Sequence, residues 1–486
     1  MDQLPVELHI KILSLLPSIF LQTHPLSDYD IRLPSLFPFN VASVCTQWLT
    51  IISQIPECWI RVVFDVAKEP APFLDAFAWS NDLEKIEVLV FTSSTDDGEE
   101  YRKSEKQRSF AIAQALRPHI HRCKSITFDL TYSTSLPPSH IFFLQDMPCL
   151  EALVLECVHD DIQVKLNPWM TTAAKRPNFG SKFHSLRKLS LTGFSFLYLA
   201  LHLASPASFR QFNFNRLMEL YISRFSFLES GHYTVENFLL YLSYALRKGS
   251  HSLYLRNLSL SYNYENSTTC PLTNERLLPR NLHFHSVTKN FLNSFYATAD
   301  IFCISSLTIK ECEIPTNLRR EHFKAAADYL VLDGIVDDEH GSGMRHILDI
   351  CLYTFSGKLK ICACRSFNDS LLEWLQTNKS PNTFPIEHVN SIHIHDCPTF
   401  TPITLRNFVK VRNALPIIDF LYRIDRTVVE LFVTGKGPSL TKEDKGWFLG
   451  QSHTTIKWIT ENDEGIREEF YAPIPSPLSV QYSSQL

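Results

Sequence analysis

The fold is decided by the stretch Leu186-Arg187-Lys188-Leu189-Ser190-Leu191, in which three leucines stand three and two residues apart. Leu189 and Leu191 flank a polar residue, which is the period of a strand with one buried and one exposed face. The same arrangement of apolar residues returns at 150–155, 217–222, 255–260 and 304–309. Repetition of one short strand at separated positions predicts an array of repeated units, each of which contributes a strand.

Weaker copies of this pattern extend the array, so that up to ten strands are predicted. The weaker copies are Ile86-x-Val88, Ile126-x-Phe128, Leu359-x-Ile361, Ile392-x-Ile394 and Leu431-x-Val433. This is the pattern of leucine-rich repeats, whose alternate apolar residues form a continuous core only when neighbouring repeats stack. The copies are unevenly spaced, and most lie farther apart than the roughly 20 to 29 residues of regular repeats. Irregular repeats with long returns are therefore predicted.

The segments between the copies contain sequence typical of helices. One of them runs from Thr234, a good helix N-cap, to Gly249, a typical helix stop. Strands on one face and helices on the other are therefore expected, with a run of unrelated α/β strands as the alternative. After about Gly435 the pattern ends, and residues 454–460 and 468–472 flank a turn-rich stretch. They predict a terminal hairpin that covers the last open sheet edge.

On each predicted strand, the residues between the buried ones point to the exposed, concave side of the sheet. A curved surface of mixed small polar groups with Tyr and His suits recognition of a protein or peptide. A solvated surface without a ligand is the alternative for any single position. The candidate substrate-binding residues are Lys188, Glu219, Tyr221, Asn257, Lys358, Lys360, His393 and His395.

The N-terminus shows a different pattern, that of short helices rich in apolar residues. A first helix is predicted to begin near Pro5, because proline is tolerated where the N–H has no intrahelical partner. Leu8, Ile12 and Leu16 then recur at the spacing of one helix face until Pro17 ends the helix.

A second helix is predicted from Asn40, as its cap, to Ile55, which precedes a proline and is biased away from helical geometry. Val44 and Trp48 lie on one face of this helix. Residues 56–59 are predicted to form one further turn that holds a tryptophan.

The order Leu4-Pro5-Val6-Glu7-Leu8, Val44-Cys45-Thr46-Gln47-Trp48 and Pro56-Glu57-Cys58-Trp59 resembles an F-box, in particular the F-box-like modules of mushroom-forming fungi. The resemblance covers residues 1–64, with an insert at 18–43 where a compact F-box has a short turn. It implies binding to the adaptor Skp1 and thus to a cullin ubiquitin ligase. By this resemblance the adaptor covers Leu4, Pro5, Leu8, Ile12, Val44 and Trp48. The repeats also resemble the degenerate repeats that follow F-boxes in many fungal and plant proteins.

Two other roles are open to these helices. Their apolar side chains can pack against one another and cap the next domain, although so many large groups favour a partner surface. A DNA-binding helix pair is the second alternative. Residues 1–64 contain only Lys11, Arg32 and Arg61 as cations against five carboxylates, so the phosphate-binding footprint is missing.

Composition limits the classes of partner and compartment. The 486 residues carry a net charge of −5 without a long block of one sign, so neither nucleic acid nor a membrane is predicted as a partner. Twelve cysteines are scattered, mostly in apolar strand-like runs, as in reduced proteins of the cytoplasm or nucleus. No signal peptide is recognised at the N-terminus.

Three stretches resemble parts of catalytic or metal sites. Residues 333–343 gather carboxylates, a histidine and glycines, but lack the spacing of a calcium or phosphate loop. Residues 362–364 and 393–397 contain cysteines and histidines at one-residue gaps, which is strand alternation and not the spacing of a zinc knuckle. No catalytic residue, metal or cofactor is predicted.

The sequence therefore predicts an α/β protein in which short N-terminal all-α F-box-like helices precede an irregular leucine-rich-repeat solenoid. The boundaries are 1–64 for the helices, 65–435 for the repeats, 436–472 for a C-terminal cap and 473–486 for a disordered tail. The predicted function is substrate recognition in a Skp1-cullin-F-box ubiquitin ligase, without catalysis by this chain. A repeat scaffold outside any ligase and an unrecognised α/β enzyme are the alternatives.

Overall fold

The computed structural model describes residues 5–16, 38–81, 83–143, 145–162, 183, 185–200, 216–228, 233–246, 251–262, 276–277, 279–301, 304–315, 327–337, 341–351, 357–377, 389–414, 428–451, 453–461 and 467–473. The chain divides into two compact units, Met1–Phe225 with Ser230–Tyr233 and Ser226–Glu229 with Thr234–Leu486. Leu4, residues 18–37 of the predicted insert, Gly249 and the predicted tail beyond Pro473 lie outside the described residues.

The first unit begins with short helices. They are α1 (Val6–Leu13), α2 (Phe39–Ala42), α3 (Thr46–Ile52) and a 3₁₀ turn (Pro56–Trp59). As predicted, α1 starts directly after Pro5, and the turn at 56–59 follows Ile55.

The predicted second helix was wrong in its continuity, because the structure divides it at Cys45. This residue is extended, with φ −163 and ψ 165, and forms the N-cap of α3. Asn40 lies inside α2, whose N-cap is Pro38, and its Oδ1 accepts a hydrogen bond from the N–H of Val41 at 2.8 Å. The β-branched residues around the break have weak helical preference. Tertiary contacts hold the two shorter helices separately against Trp59. The ring of Phe39, in α2, lies edge-on to that of Trp59 with centroids 5.6 Å apart. Trp59 Nε1 donates a hydrogen bond to the carbonyl of Ile52, in α3, at 3.0 Å.

The rest of the first unit alternates strands and helices. The strands are β1 (Arg61–Asp65), β2 (Ile86–Phe91), β3 (Cys123–Tyr132), β4 (Ala152–His159), β5 (Lys188–Thr192) and β6 (Glu219–Phe227). The helices are α4 (Ala76–Trp79), α5 (Glu99–Leu116), α6 (His140–Phe143) and α7 (Gly193–Tyr198), with 3₁₀ turns at Ala71–Phe73, Arg117–Arg122 and Ser133–Ser135. Each strand pairs in parallel with the next one along the chain. The predicted boundary at residue 64 falls inside β1.

The second unit continues the same alternation. Its strands are β7 (His251–Leu260), β8 (Arg276–Leu277), β9 (Pro279–His285), β10 (Asp300–Ile301), β11 (Ile304–Lys310), β12 (Ala327–Asp333), β13 (Gly357–Cys362), β14 (Val389–His395), β15 (Glu430–Lys436), β16 (Thr455–Glu461) and β17 (Arg467–Ala472). Its helices are α8 (Val235–Ala245), α9 (Lys289–Thr298), α10 (Ser342–Cys351), α11 (Asp369–Gln376), α12 (Pro402–Asn413) and α13 (Lys442–Leu449).

The pairing in the second unit is also mostly parallel. From β7 the order runs through β9, β11, β12, β13, β14 and β15 to β16, while β8 and β10 form a separate two-residue ladder. β17 pairs antiparallel with β16, which confirms the predicted terminal hairpin. The predicted helix after Thr234 is confirmed as α8, since the Thr234 side chain accepts a hydrogen bond from the N–H of Asn237 at 3.2 Å. The fold class is therefore mixed α/β with mostly parallel strands.

All ten predicted strand positions lie in strands. Besides the two-residue strands β8 and β10, the strands β1, β9 and β12 were not predicted. In β9 and β12 the first leucine of the repeated pattern is replaced by Pro279 and Ala327. β1 is a short run of consecutive apolar residues, which shows no alternation. A search for the full pattern therefore passes over all three.

A left-handed residue lies near the end of the paired part, or directly after it, in β7, β9, β11, β12, β13, β14 and β15. These residues are Asn257, Ser286, Glu311, Gly334, Ala363, Asp396 and Gly435, with φ between 49 and 75. Several donate their N–H to a carbonyl of the next strand, as Ala363 does to His395 at 2.8 Å and Asp396 to Thr434 at 3.0 Å. The next position holds a buried residue in most of these strands, and that residue is Cys312, Cys364 or Cys397 in three of them. A strand, a left-handed residue and a buried residue thus follow one another repeatedly along this part of the chain.

Helices cover one face of the sheet in the second unit. The ring of Phe284, on β9, lies edge-on to that of Phe295, on α9, with centroids 5.1 Å apart. At the other end of the unit, Trp458 of β16 contacts Phe448 of α13, with centroids 5.7 Å apart. The alternate side chains of these strands are left on the opposite, open face. Over the described ranges, no helix combines the length and the apolar character needed to cross a membrane.

Candidate interaction surfaces

The helical module at the N-terminus carries exposed apolar side chains. Leu8 and Ile12 lie one turn apart on α1 with 44% and 52% of their surface exposed, and Val44 is 62% exposed. Pro5 is also exposed. These four residues are named here the N-terminal apolar surface. Such grouped exposure on a small module is typical of a surface that a partner covers.

The neighbouring side of α1 is the one that packs inward. His9 and Leu13 are buried, and α1 contacts α3. The apolar stripe predicted for α1 is thus divided: its Leu8 and Ile12 edge faces solvent while the neighbouring edge packs. Trp48 of α3 is half-buried, and Cys45 beside Val44 is exposed. The structure therefore places four of the six predicted adaptor-binding residues at the surface, half-buries Trp48 and does not describe Leu4.

In the first unit, three predicted substrate-binding residues contact one another. Lys188 pairs with Glu219 across β5 and β6, and its Nζ lies 5.0 Å from the ring centroid of Tyr221. The Tyr221 hydroxyl donates to Glu219 Oε2 at 3.2 Å. Polar groups that satisfy one another in this way leave less charge available to a ligand.

The open face of the second unit is organised in rows that run across the strands. The first row is Ser252, Asn281, Ser306, Tyr329, Lys358, Ser391, Glu430 and Thr455, in the order of strand pairing. The second row is Tyr254, His283, Thr308, Val331, Lys360, His393, Phe432 and Lys457. The third row is Arg256, His285, Lys310, Asp333, Cys362, His395 and Thr434.

Four predicted residues come together on β13 and β14. Lys358 pairs with Ser391, Lys360 with His393, and Cys362 with His395, so the two lysines and two histidines share one part of the face. The fifth predicted residue of this unit, Asn257, lies off the rows because its left-handed backbone breaks the strand period in β7.

Aromatic side chains occupy both ends of the second row. Tyr254 and His283 are stacked, with ring centroids 4.3 Å apart and planes at 6°. His393 and Phe432 lie with centroids 4.6 Å apart. Burial lowers the pKa of His283. Burial, reinforced by Lys358 and Lys360 against the opposing effect of Glu430, lowers the pKa of His393.

Most basic residues of the third row lie next to a carboxylate. Lys310 Nζ lies 3.3 Å from Asp333 Oδ2 and 3.8 Å from Glu311 Oε1. His395 Nε2 lies 3.1 Å from Asp396 Oδ2. By contrast, Lys358, Lys360 and Lys457 have no ion pair within the described part of the chain. Of the basic residues in the third row, His285, Lys310 and His395 thus have a carboxylate at short range. The three lysines of the first two rows have none among the described residues.

The cysteines of segments 362–364 and 393–397 are structural. The Cys364 thiol donates to the Cys362 carbonyl at 3.1 Å, and the Cys397 thiol donates to the His395 carbonyl at 3.3 Å. Burial raises the pKa of Cys364 to about 11 and that of Cys397 to about 12. Both side chains are therefore neutral thiols at physiological pH, and the described residues contain no group of three or more potential metal ligands.

The acidic loop at 333–343 has a comparable structural role where it is described. The Asp337 carboxylate accepts hydrogen bonds from the N–H groups of Gly343, at 3.0 Å, and Met344, at 2.7 Å. A carboxylate at this place satisfies donors at the start of α10.

Several residues of the open face were missed from the sequence. His283 and Tyr329 were missed together with their strands, β9 and β12. Tyr254 was missed because the predicted pattern in β7 begins at Leu255 and runs to Leu260, whereas the residues that pair with β9 are His251–Arg256. Phe432 and Lys457 lie at alternating positions of predicted strands, so the period-two rule alone identifies them.

Comparison of the chain with protein-family models and with curated proteins gave no match. The functional proposal below therefore depends on the exposed surfaces, on the repeat geometry and on the resemblance of the N-terminal residues.

Proposed function

We propose that this chain is the substrate-recognition subunit of a Skp1-cullin-F-box ubiquitin ligase. The N-terminal apolar surface binds a Skp1-like adaptor, and the open face of the repeats holds a protein substrate. The observation that carries the proposal is the exposure of Leu8, Ile12 and Val44 on a helical module whose other side is packed. The ligase places this chain in the cytoplasm or the nucleus.

Exposure of these apolar side chains to water costs free energy that a partner recovers by covering them. Full burial of a Leu, Ile or Val side chain stabilises by about 1.5–3 kcal/mol. Because Leu8, Ile12 and Val44 are about half exposed, covering the remaining surface of each contributes about 1 kcal/mol. Together with Pro5 and the exposed part of Trp48, this surface supplies several kcal/mol to a complex.

The repeat geometry supports a leucine-rich-repeat body for the substrate. β11 and its turn read Ile304-x-x-Leu307-x-Ile309-x-x-Cys312, which matches the repeat pattern of apolar residues followed by a buried Asn or Cys. Parallel strands follow one another in chain order, and in the second unit the left-handed turn recurs from β7 to β15. A stack of such repeats presents a row of polar side chains to a partner.

The proposed chemistry requires no catalytic group on this chain. Holding a substrate lysine near a ubiquitin-charged enzyme raises the effective concentration of the two reactants. The rate gain in the ligase then depends on the geometry with which the two ends of this chain hold adaptor and substrate.

The adaptor surface is tested by charge substitution. Leu8→Glu with Ile12→Glu removes the apolar surface of α1 while the packed residues His9 and Leu13 are kept. We expect capture of purified Skp1 by the full chain to fall by about a hundredfold, equivalent to about 2.7 kcal/mol. The matched control is Ile403→Glu on α12, where an isoleucine is 60% exposed outside the proposed surface.

A second readout uses Cys45, which is exposed beside Val44. We expect alkylation of Cys45 by iodoacetamide to slow when Skp1 is added, because the adaptor covers this thiol. A well-folded wild-type chain that neither captures Skp1 nor protects Cys45 overturns the ligase proposal and leaves a repeat scaffold without ligase assembly.

A further inference from the structure

We propose that the second unit binds a partner segment rich in Asp and Glu, in extended form, on a basic-aromatic surface made by Lys358, Lys360, His393, Phe432 and Lys457. This inference deepens the proposed function, on which it rests in identifying the bound segment as part of the substrate. The chemical class of the ligand follows from the charge and the shape of this surface.

The five residues are brought together by strand pairing. Lys360, His393, Phe432 and Lys457 are successive members of the second row, on β13, β14, β15 and β16. Neighbouring strands lie about 4.8 Å apart, so this part of the row spans about 14 Å. Four or five residues of an extended chain cover the same distance at about 3.3 Å per residue. Lys358 lies beside the row, two residues before Lys360 on the same strand.

The lysine charges of the surface have no ion pair among the residues that the structure describes. The three lysines have no carboxylate partner in the described part of the chain, although the whole chain carries a net charge of −5. The acidic residue in this part of the first two rows is Glu430, whose Oε2 already accepts a hydrogen bond from Ser391 Oγ at 2.7 Å. Some cations elsewhere are matched, as when Arg61 and Lys124 both pair with Glu87, at 3.3 and 3.1 Å. Carboxylates from a partner therefore find available charge at the three lysines.

The aromatic part of the surface favours a polypeptide ligand. The rings of His393 and Phe432 lie side by side and are partly exposed, which gives an apolar floor between basic groups. An aromatic or aliphatic side chain of the ligand packs on such a floor while neighbouring carboxylates reach the lysines. Nucleic acid is disfavoured, because its continuous phosphate backbone meets Asp333, Glu311 and Asp396 beside the surface.

The test measures binding of a defined probe to the purified full chain. The probe is a fluorescein-labelled twelve-residue peptide of alternating Glu and Tyr, and a peptide of alternating Gln and Tyr is its uncharged counterpart. Fluorescence anisotropy is read at about 50 mM and about 200 mM NaCl, since screening weakens exposed charge contacts. We expect the Glu-Tyr peptide to bind more tightly than the Gln-Tyr peptide, and more weakly at the higher salt concentration.

The variant for this test is Lys358→Gln with Lys360→Gln and Lys457→Gln, for which we expect at least about tenfold weaker binding of the Glu-Tyr peptide. The matched control, Lys103→Gln with Lys106→Gln and Lys442→Gln, removes the same charge from exposed helical positions and is expected to bind like the wild type.

Equal weakening by both triple variants, equal binding of both peptides, or absence of binding to the wild type overturns the inference. Skp1 capture, measured on the same preparations, separates this inference from the proposed function. A chain that captures Skp1 but ignores the acidic peptide contradicts only the inference. A chain that binds the peptide through the three lysines without capturing Skp1 contradicts only the proposed ligase role.

Discussion

At the residue scale, the left-handed residues at the ends of the strands of the second unit are of two kinds, residues with a side chain and glycines. Most of them carry a side chain, and Asp396 uses its carboxylate to accept a hydrogen bond from the N–H of Lys436 at 2.8 Å. Gly435, the left-handed residue of the neighbouring strand, has φ +75, and the atoms around it leave no space for a side chain. A Cβ atom there comes within 2.1 Å of Asp396 Oδ1. The glycine is therefore required both by its backbone angle and by the carboxylate beside it.

Two glycine substitutions are expected to change stability in opposite directions. Gly435→Ala strains the left-handed backbone and displaces Asp396, which we expect to destabilise by about 1–3 kcal/mol. Gly446→Ala lies within α13, where nothing is within 4 Å of the added Cβ atom, and is expected to stabilise by about 0.5–1 kcal/mol. Urea unfolding followed by fluorescence measures both. Equal effects of the two substitutions contradict this account of the turn.

At the element scale, α13 is held by a capping box and by an ion pair with the neighbouring helix. Thr441 Oγ1 accepts a hydrogen bond from the N–H of Asp444, and Asp444 accepts one from the N–H of Thr441. Arg406 of α12 donates to Asp444 Oδ1 at 2.8 Å. Burial by itself raises the pKa of Asp444, but the hydrogen bonds from Thr441 and Arg406 outweigh it, so the pKa is lowered.

A group with a lowered pKa in the folded state stabilises above its unfolded pKa, about 3.9 for aspartate, and loses this contribution as the pH falls further. We therefore expect Asp444→Asn to be less stable than the wild type at pH 7, and the difference to shrink as the pH is lowered to about 3. The urea midpoints of the variant and the wild type at both pH values measure this difference in stability. Asp328→Asn, at an exposed residue of β12, is the control and should leave both midpoints unchanged. If the stability difference between variant and wild type grows on acidification, stabilisation by the ionised Asp444 carboxylate is contradicted.

At the scale of the whole molecule, parallel strands added in chain order leave an open edge after the last repeat. β17 covers β16 by antiparallel pairing and is joined to α13, since Lys445 Nζ lies 2.6 Å from Glu468 Oε1. An uncovered strand edge presents unpaired N–H and C=O groups to other molecules. The hairpin therefore protects the second unit against edge-to-edge association.

Removal of β17 tests this protection. A chain that ends at residue 466 exposes the outer edge of β16, and we expect concentration-dependent association detectable by light scattering. A chain that ends at Pro473 keeps β17 and is expected to behave as the full chain does. Association of both truncated chains to the same extent argues against a protective role of the hairpin.

Most strands of the parallel sheet were predictable because strand burial follows from alternation over a few residues. The ten predicted positions, such as Leu189 and Leu307, lie in strands because an alternating apolar pattern needs a sheet with one covered face. β9 and β12 were missed because their shorter first residues still pack once neighbouring strands supply the core. A buried residue three positions after the last buried apolar residue of a strand, such as Cys364 after Ile361 or Cys397 after Ile394, is a further signal of this repeated pattern.

The candidate surfaces were predictable only in part. Leu8 and Val44 were identified through the N-terminal residues, and the structure adds that they are exposed. For Lys358 and Lys360, alternation predicted the exposed face. These two lysines have no carboxylate partner among the described residues, whereas Lys188 contacts Tyr221 and Lys310 contacts Asp333. This difference depends on which strands are neighbours.

The sequence by itself determined the α/β class, the repeated strands and the terminal hairpin, because alternation, caps and turns act between residues close in the chain. Only the tertiary structure decided that the second predicted helix divides at Cys45, that Asn257 leaves the row, and that Lys457 joins Lys360 on one surface. These outcomes depend on contacts between residues far apart in sequence. A pattern read along the chain gives the face on which a side chain lies, whereas strand register gives its neighbours, and neighbours decide charge and packing.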